Sequence, residues 1–335
     1  MIGEAAVKEI ESAGKLVFHA VGDTGGIKEP RFQENVAAAM ENDFSRQPAP
    51  AFFYHLGDVV YFYGQRASYY EQFYDPYIRY PAPILAIPGN HDGAVTPGAD
   101  TADPAETVSL EGFFTNFCAL PNTHTTEAHE TPRNAMTQPN VYWTLTTPLA
   151  TIVGLYTNVP EGGAVRPEQR EWFAKEIAEA ATDRALIVAA HHPIYSADAM
   201  HGSCPGIGEV LNKAFQEAGR TADLVLNGHV HNYQRFTRQY QGKEQTRPIT
   251  YIVAGAGGYH NLHAMGKVDG APPPSEWQDE ELGVTLNSYN ESDFGYLTLT
   301  VTKTEIQGAY TAVPKAQSEG AAVQTNVSDT FTISL

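Results

Sequence analysis

The chain is short of cysteine, of positive charge and of long apolar runs, and each shortage removes a class of function. Only two cysteines occur in 335 residues, Cys118 and Cys204, too far apart for a thiolate metal site of the Cys-x-x-Cys kind. They read as buried or unreactive thiols, with a single disulfide as the open alternative. Lysine and arginine total 21 against 39 acids, a formal charge of −18. Such a surface repels nucleic-acid phosphates and anionic membranes, so neither is expected as a partner. A phosphorylated small molecule fits only where local positive charge, such as bound metal ions, overrides the global field. No run is long enough to span a bilayer, and residues 1–10 are charged and mildly amphipathic rather than a continuous apolar leader. Taken literally the chain is cytoplasmic. A secreted or periplasmic protein stripped of its leader reads the same, and the sequons at Asn290 and Asn326 do not decide.

What is present is the composition of a globular protein, 42% hydrophobic and 18% charged. Strand-like apolar runs at 15–21, 51–56, 83–87, 185–190, 223–226 and 249–254 alternate with helical patterns opening at Pro30, near Ser68, at Pro167 and near Ile207. Residues 141–146 and 151–157 read as two further strands, 265–282 as a surface loop, and 294–300, 305–311 and 328–335 as antiparallel edge strands. Between 93 and 140 the pattern breaks down; a connection this long is usually functional, and it leaves directly from Asn90-His91. The expectation is one α/β domain over 1–335, with two mixed β-sheets packed together and flanked by helices.

Five of these runs end in polar residues able to bind metal. Asp23, Asp58, Asn90, His191 and the pair His229/His231 each lie just past the C-terminal end of an apolar run, the edge at which open α/β sheets bind ligands. Tyr61, three residues after Asp58, adds a phenol. A carboxylate can bridge two ions, and a phenolate suits a high-valent ion such as Fe³⁺. Asp23, Tyr61 and His231 would make a hard, oxygen-rich pocket. Asn90, His191 and His229 would make a softer one, with Asp58 between them. Reading residues 229–231 as extended sends both rings to the same side. Two ions ~3.5–4 Å apart clamp the attacking and leaving oxygens of a phosphoryl transfer. Ordinary turn residues are the plain alternative, and for Tyr61 so is packing among Tyr54, Phe62 and Tyr63. His19 and His55 lie inside strands and read as core, His192 as shaping its turn, and His124, His129, His260 and His263 as loop residues, at the surface by default, with a place in the pocket wall open to one of them.

Gly22-Asp23-Thr24-Gly25, Gly57-Asp58-Val59-Val60-Tyr61, Gly89-Asn90-His91-Asp92, Val188-Ala189-Ala190-His191 and Gly228-His229-Val230-His231 resemble, in order, the five motif blocks of the purple acid phosphatases, a branch of the calcineurin-like metallophosphoesterases. The likeness runs from about residue 15 to 258, and the size is that of the small, single-domain type. The resemblance implies an αββα sandwich. It also implies Fe³⁺ held by Asp23, Asp58, Tyr61 and His231, and Fe²⁺, Zn²⁺ or Mn²⁺ held by Asp58, Asn90, His191 and His229. Phosphodiesterases of the wider superfamily carry Asp-x-His in the first block; here Asp23-Thr24-Gly25 stands, and Tyr61 supplies the missing ligand. His201 matches the family's second substrate-facing histidine, whereas His192 does not.

The function that follows is hydrolysis of phosphate monoesters, in which a metal-bound hydroxide attacks phosphorus and His91, oriented by Asp92, protonates the leaving alcohol. A phosphodiesterase acting on a nucleotide or phospholipid at the same site is the first alternative. A catalytically dead scaffold is the second, set against the full set of ligands.

Overall fold

The computed structural model describes residues 1–97, 107–158, 163–239, 247–317 and 322–335. Two mixed sheets form its frame. The first has strand order β14-β13-β12-β1-β2-β3, comprising β1 (Leu16–Val21), β2 (Phe53–His55), β3 (Ile84–Ala86), β12 (Phe294–Val301), β13 (Glu305–Val313) and β14 (Asn326–Ser334). The second has order β10-β11-β8-β9-β7-β6-β5-β4. Its strands are β4 (Trp143–Thr146), β5 (Ala150–Leu155), β6 (Ala185–Ala190), β7 (Leu224–Asn227), β8 (Tyr233–Gln239), β9 (Pro248–Ala254), β10 (Trp277–Asp279) and β11 (Val284–Asn290).

Alternation along each strand builds three apolar layers, because successive side chains leave on opposite faces. Leu16, Phe18 and Ala20 of β1 and Ala185, Ile187 and Ala189 of β6 meet in the layer between the sheets. The intervening Val21 packs outward under the helix Arg31–Asn42 and the aromatic group Tyr69, Phe73, Tyr74 and Tyr77. On the far side Leu186, Val188 and Ala190 pack under the helices Pro167–Glu179 and Pro205–Ala218. Strands β1–β2–β3 and β5–β6–β7–β9 run parallel, so the C-terminal ends of both sets open on one rim.

Several local expectations change. The helix expected from Ser68 is a 3₁₀ turn at Arg66–Ser68 followed by a π-helical turn at Tyr70–Tyr74. Five aromatic side chains around it, Tyr69, Phe73, Tyr74, Tyr77 and Tyr80, are buried. The 265–282 loop contains β10, and β8 and β11 carry too many polar residues to stand out by hydropathy. Within 93–140 the described residues include a helix, Glu111–Phe117; residues 98–106 lie outside the described set. Gln138 from this segment returns to bond both backbone groups of Ala86, bracing the end of β3. Cys118 and Cys204 are both free thiols. No helix among the described residues is long and apolar enough to cross a membrane.

Candidate metal centre

Each ligand-type side chain reaches the rim because a strand stops and the backbone turns sharply. Asp23, Asp58 and His229 hold left-handed backbone conformations, with φ of 59°, 54° and 68°. That region is costly for residues with a Cβ, and such strain collects where a site over-determines its geometry. Gly89 leaves no room for a side chain, since a Cβ there would collide with Asp58 Oδ1.

The side chains form two groups. In one, Tyr61 Oη lies 3.3 Å from both Asp23 Oδ1 and His231 Nε2, and His231 Nε2 lies 3.5 Å from Asp23 Oδ1. In the other, Asn90 Oδ1 lies 3.1 Å from His191 Nε2 and 2.9 Å from His229 Nδ1. His191 Nε2 is 3.5 Å from Asp58 Oδ2, and ligand atoms of Asp58, His191 and His229 all fall within 4.8 Å of one another. Asp58 acts electrostatically on Tyr61 as well as on His191, which puts it at the junction of the groups.

Backbone carbonyls fix the tautomers. His191 Nδ1 donates to the Leu56 carbonyl at 2.8 Å, and His231 Nδ1 donates to that of Asn261 at 2.7 Å. Each Nε2 therefore faces the cleft and is the nitrogen left to bind a cation, the arrangement usual for metal-binding imidazoles. Backbone N–H groups hold the carboxylates: His91 N–H donates to Asp58 Oδ1 at 2.9 Å and His229 N–H to Asp23 Oδ2 at 2.8 Å.

Charge in the site is unbalanced. Burial would raise the Asp58 carboxyl, but the neighbouring His191 outweighs it and holds Asp58 below the usual carboxylate range. Burial likewise opposes charge on His191, yet Asp58 lifts it to about 9. A proton thus occupies the ring where a cation would otherwise neutralise the carboxylate. Burial, with Asp58 and Asp23, pushes the Tyr61 phenol well above its ordinary value, so only a strongly polarising cation would draw a phenolate from it. Burial and then the adjacent His191 and His192 keep His229 neutral. Two clusters of oxygen and nitrogen donors converging around buried carboxylates match the needs of two cations.

Three expectations are corrected. Asp92 does not orient His91: its buried carboxylate accepts the backbone N–H groups of Val59, Val60 and Gly89, holding the turn that carries Asp58. The His91 ring is held instead by the Phe62 carbonyl, 2.7 Å from Nδ1, which leaves Nε2 free. Residues 229–231 are a turn rather than an extended segment, and this sends the two rings to different groups. His263 is no surface residue. It is 1% exposed, accepts the His231 N–H at Nδ1 and stacks on the His231 ring at 4.2 Å between centroids.

His201 lies beside the second group, 4.4 Å from the His229 ring, on a loop gathered by Asp198. His192 is buried with Nδ1 2.8 Å from Thr157 Oγ1, and His19 and His55 are core residues. Tyr259, not singled out in the sequence, stacks on Tyr61 at 3.9 Å; the glycine run before it was the available signal.

Comparisons with known proteins place the chain by family and fold. Residues 16–233 match the family described as calcineurin-like phosphoesterase. Purple acid phosphatase 22 of Arabidopsis thaliana is 28% identical over 120 residues, 35% of this chain and 27% of that protein. Purple acid phosphatase 15 of the same plant is 32% identical over 125 residues, 35% of this chain and 23% of that protein. The matched segments thus span under a third of these relatives. Among solved structures, purple acid phosphatase PPD1 of yellow lupin superposes with a TM-score of 0.65 at 19% identity, covering 96% of this chain and 54% of that one. GAP50, the anchor in the inner membrane complex of Plasmodium, superposes at 0.62 with 15% identity, covering 93% of this chain and 88% of that one. At such identities the structural likeness speaks to the fold alone.

Proposed function

The chain belongs to the calcineurin-like phosphoesterase family, and from that premise we propose that it is a dinuclear-metal phosphomonoesterase of the acid phosphatase type. The observation that carries the reading is the pair of converging donor groups with Asp58 at their junction. Asp23, Asp58, Tyr61 and His231 would hold Fe³⁺; Asp58, Asn90, His191 and His229 would hold Fe²⁺, Zn²⁺ or Mn²⁺. Bound there, the two ions supply the positive charge that offsets the phosphoryl oxygens on a chain of net charge −18.

The protein's own groups do the rest. His91, anchored through Nδ1, keeps Nε2 free to hold a proton for the departing oxygen. His201 offers a further imidazole to the phosphate from the His229 side. Asp92 acts one step back, by shaping the turn under Asp58. The partner is a small phosphorylated molecule rather than nucleic acid or a membrane surface.

Elemental analysis, a visible spectrum and turnover of p-nitrophenyl phosphate against bis(p-nitrophenyl) phosphate test this together. Two metal equivalents, a visible band that Tyr61→Phe bleaches, and faster monoester turnover are expected. A colourless protein holding only zinc or manganese would remove the iron–phenolate assignment, and faster diester turnover would make it a phosphodiesterase.

A further inference from the structure

Beside the candidate acid stands a ring that burial does not explain. Phe62 is 40% exposed, although it directly follows Tyr61 and its carbonyl holds the His91 ring. Its phenyl meets His91 at 6.2 Å between centroids with planes at 62°, and Tyr259 at 6.3 Å and 86°. Tyr259 is itself fixed by stacking on Tyr61 at 3.9 Å. The Phe62 ring is thus set edge-on against His91, Tyr259 and Tyr61, the last at 6.4 Å and 89°, and among the described residues the exposed Lys28 ammonium lies 5.6 Å from its centroid. A single exposed phenylalanine on a surface calls for no explanation. This one adjoins the imidazole that would protonate the leaving oxygen, so the departing group lies next to it.

We infer that Phe62 is a specificity-determining residue, which selects phosphate monoesters whose leaving alcohol carries a planar aromatic ring. The inference rests on the phosphomonoesterase reading and names its substrate class. A substrate ring stacked on Phe62, or set against its edge, gains the contact that aromatic pairs make beyond simple burial, about three- to tenfold in affinity. Bound equally in ground and transition states, that contact appears in KM rather than kcat.

The test compares benzyl phosphate with cyclohexylmethyl phosphate on the metal-loaded full chain. Both release a primary alkoxide from the same carbon skeleton, so they differ chiefly in a flat against a puckered ring. The wild type should favour the benzyl ester about three- to tenfold in kcat/KM, with most of the difference in KM. Phe62→Leu should bring the ratio near one, and Phe62→Tyr should keep it, with metal content and melting temperature measured for both variants. Equal kcat/KM for the two esters in the wild type overturns the inference and leaves the phosphomonoesterase standing. A ratio that survives Phe62→Leu overturns the assignment to Phe62. Turnover of neither ester removes the phosphomonoesterase reading and this inference with it.

Discussion

Two buried histidine–carboxylate pairs sit at opposite ends of this molecule's logic. His19 Nε2 lies 3.2 Å from Asp43 Oδ2, and His191 Nε2 lies 3.5 Å from Asp58 Oδ2; all four side chains are nearly or fully buried. In the first pair every group has a complement. His19 Nδ1 accepts from the Tyr80 hydroxyl at 3.0 Å, and Asp43 also takes the Tyr296 hydroxyl at 3.0 Å and Arg46 at 3.0 Å. Burial lowers His19, which stays neutral, and Asp43 stays ionised below its usual range as its partners outweigh burial. In the second pair Asn90 Oδ1 meets the ring nitrogens of both His191 and His229, and Asp58 raises His191 to about 9 against its burial. Burial and proximity are common to both. What separates scaffold from site is the kind of partner: hydroxyls and an arginine close the first pair, whereas further ligand-type side chains gather around the second.

The largest effect should come from removing the shared carboxylate. Asp58→Ala should strip both metal equivalents and reduce turnover to background, because it deletes the one ligand assigned to both ions. Asp43→Ala should leave metal content intact while costing about 1–3 kcal/mol, since it leaves the buried His19 Nε2–H without its acceptor, whereas the Tyr296 hydroxyl keeps the Ala39 carbonyl at 3.2 Å. Full metal retention in Asp58→Ala would overturn the bridging assignment, and elemental analysis beside urea denaturation reads both outcomes.

A second contrast lies within the site, between adjacent residues. His91→Asn should lower turnover of an alkyl phosphate by ~10²–10⁴-fold and that of p-nitrophenyl phosphate far less, because nitrophenolate leaves largely unaided. Asp92→Asn should lower both equally, by about 10- to 100-fold, because its carboxylate shapes the turn beneath Asp58 and touches no proton in flight. A leaving-group dependence in Asp92→Asn would restore it to a role on His91.

The smallest effect tests the scaffold pair by pH. With its folded pKa below the ordinary 6.5, His19 binds fewer protons folded than unfolded. Its contribution is therefore complete above that value and is lost as pH falls below it. His19→Asn should cost about 1–3 kcal/mol at neutral pH. The gap between variant and wild type in urea midpoints should narrow from about pH 7.5 to about pH 5. A constant gap would show that His19 carries no proton linkage.

Much of the site was legible because strand ends are written locally. Apolar runs closing in Gly57-Asp58, Gly89-Asn90 and Gly228-His229 mark where a buried strand must release its polar residues, and strands alternating with helices pointed to two packed sheets flanked by helices. Other features were not. Strands β8 and β11 carry their polarity on one half-buried face, and hydropathy alone reads them as loop. His263 reads by default as a surface loop residue because its flanks, Leu262 and Ala264, belong to no regular apolar run; its cover comes from His231 and Asp198, 32 and 65 positions away.

The alternation of strands with helices and the residue types able to bind metal follow from sequence, since each depends on periodicity and on side-chain chemistry within a few positions. Which nitrogen of each histidine faces the cleft does not. That depended on the carbonyls of Leu56, Phe62 and Asn261, groups that every residue possesses and that only the folded backbone can aim. The same holds for Asp92, whose neighbour in the chain is His91 but whose hydrogen bonds go to Val59, Val60 and Gly89. A carboxylate fixes which groups can bind it; only the tertiary structure decides which of them arrive.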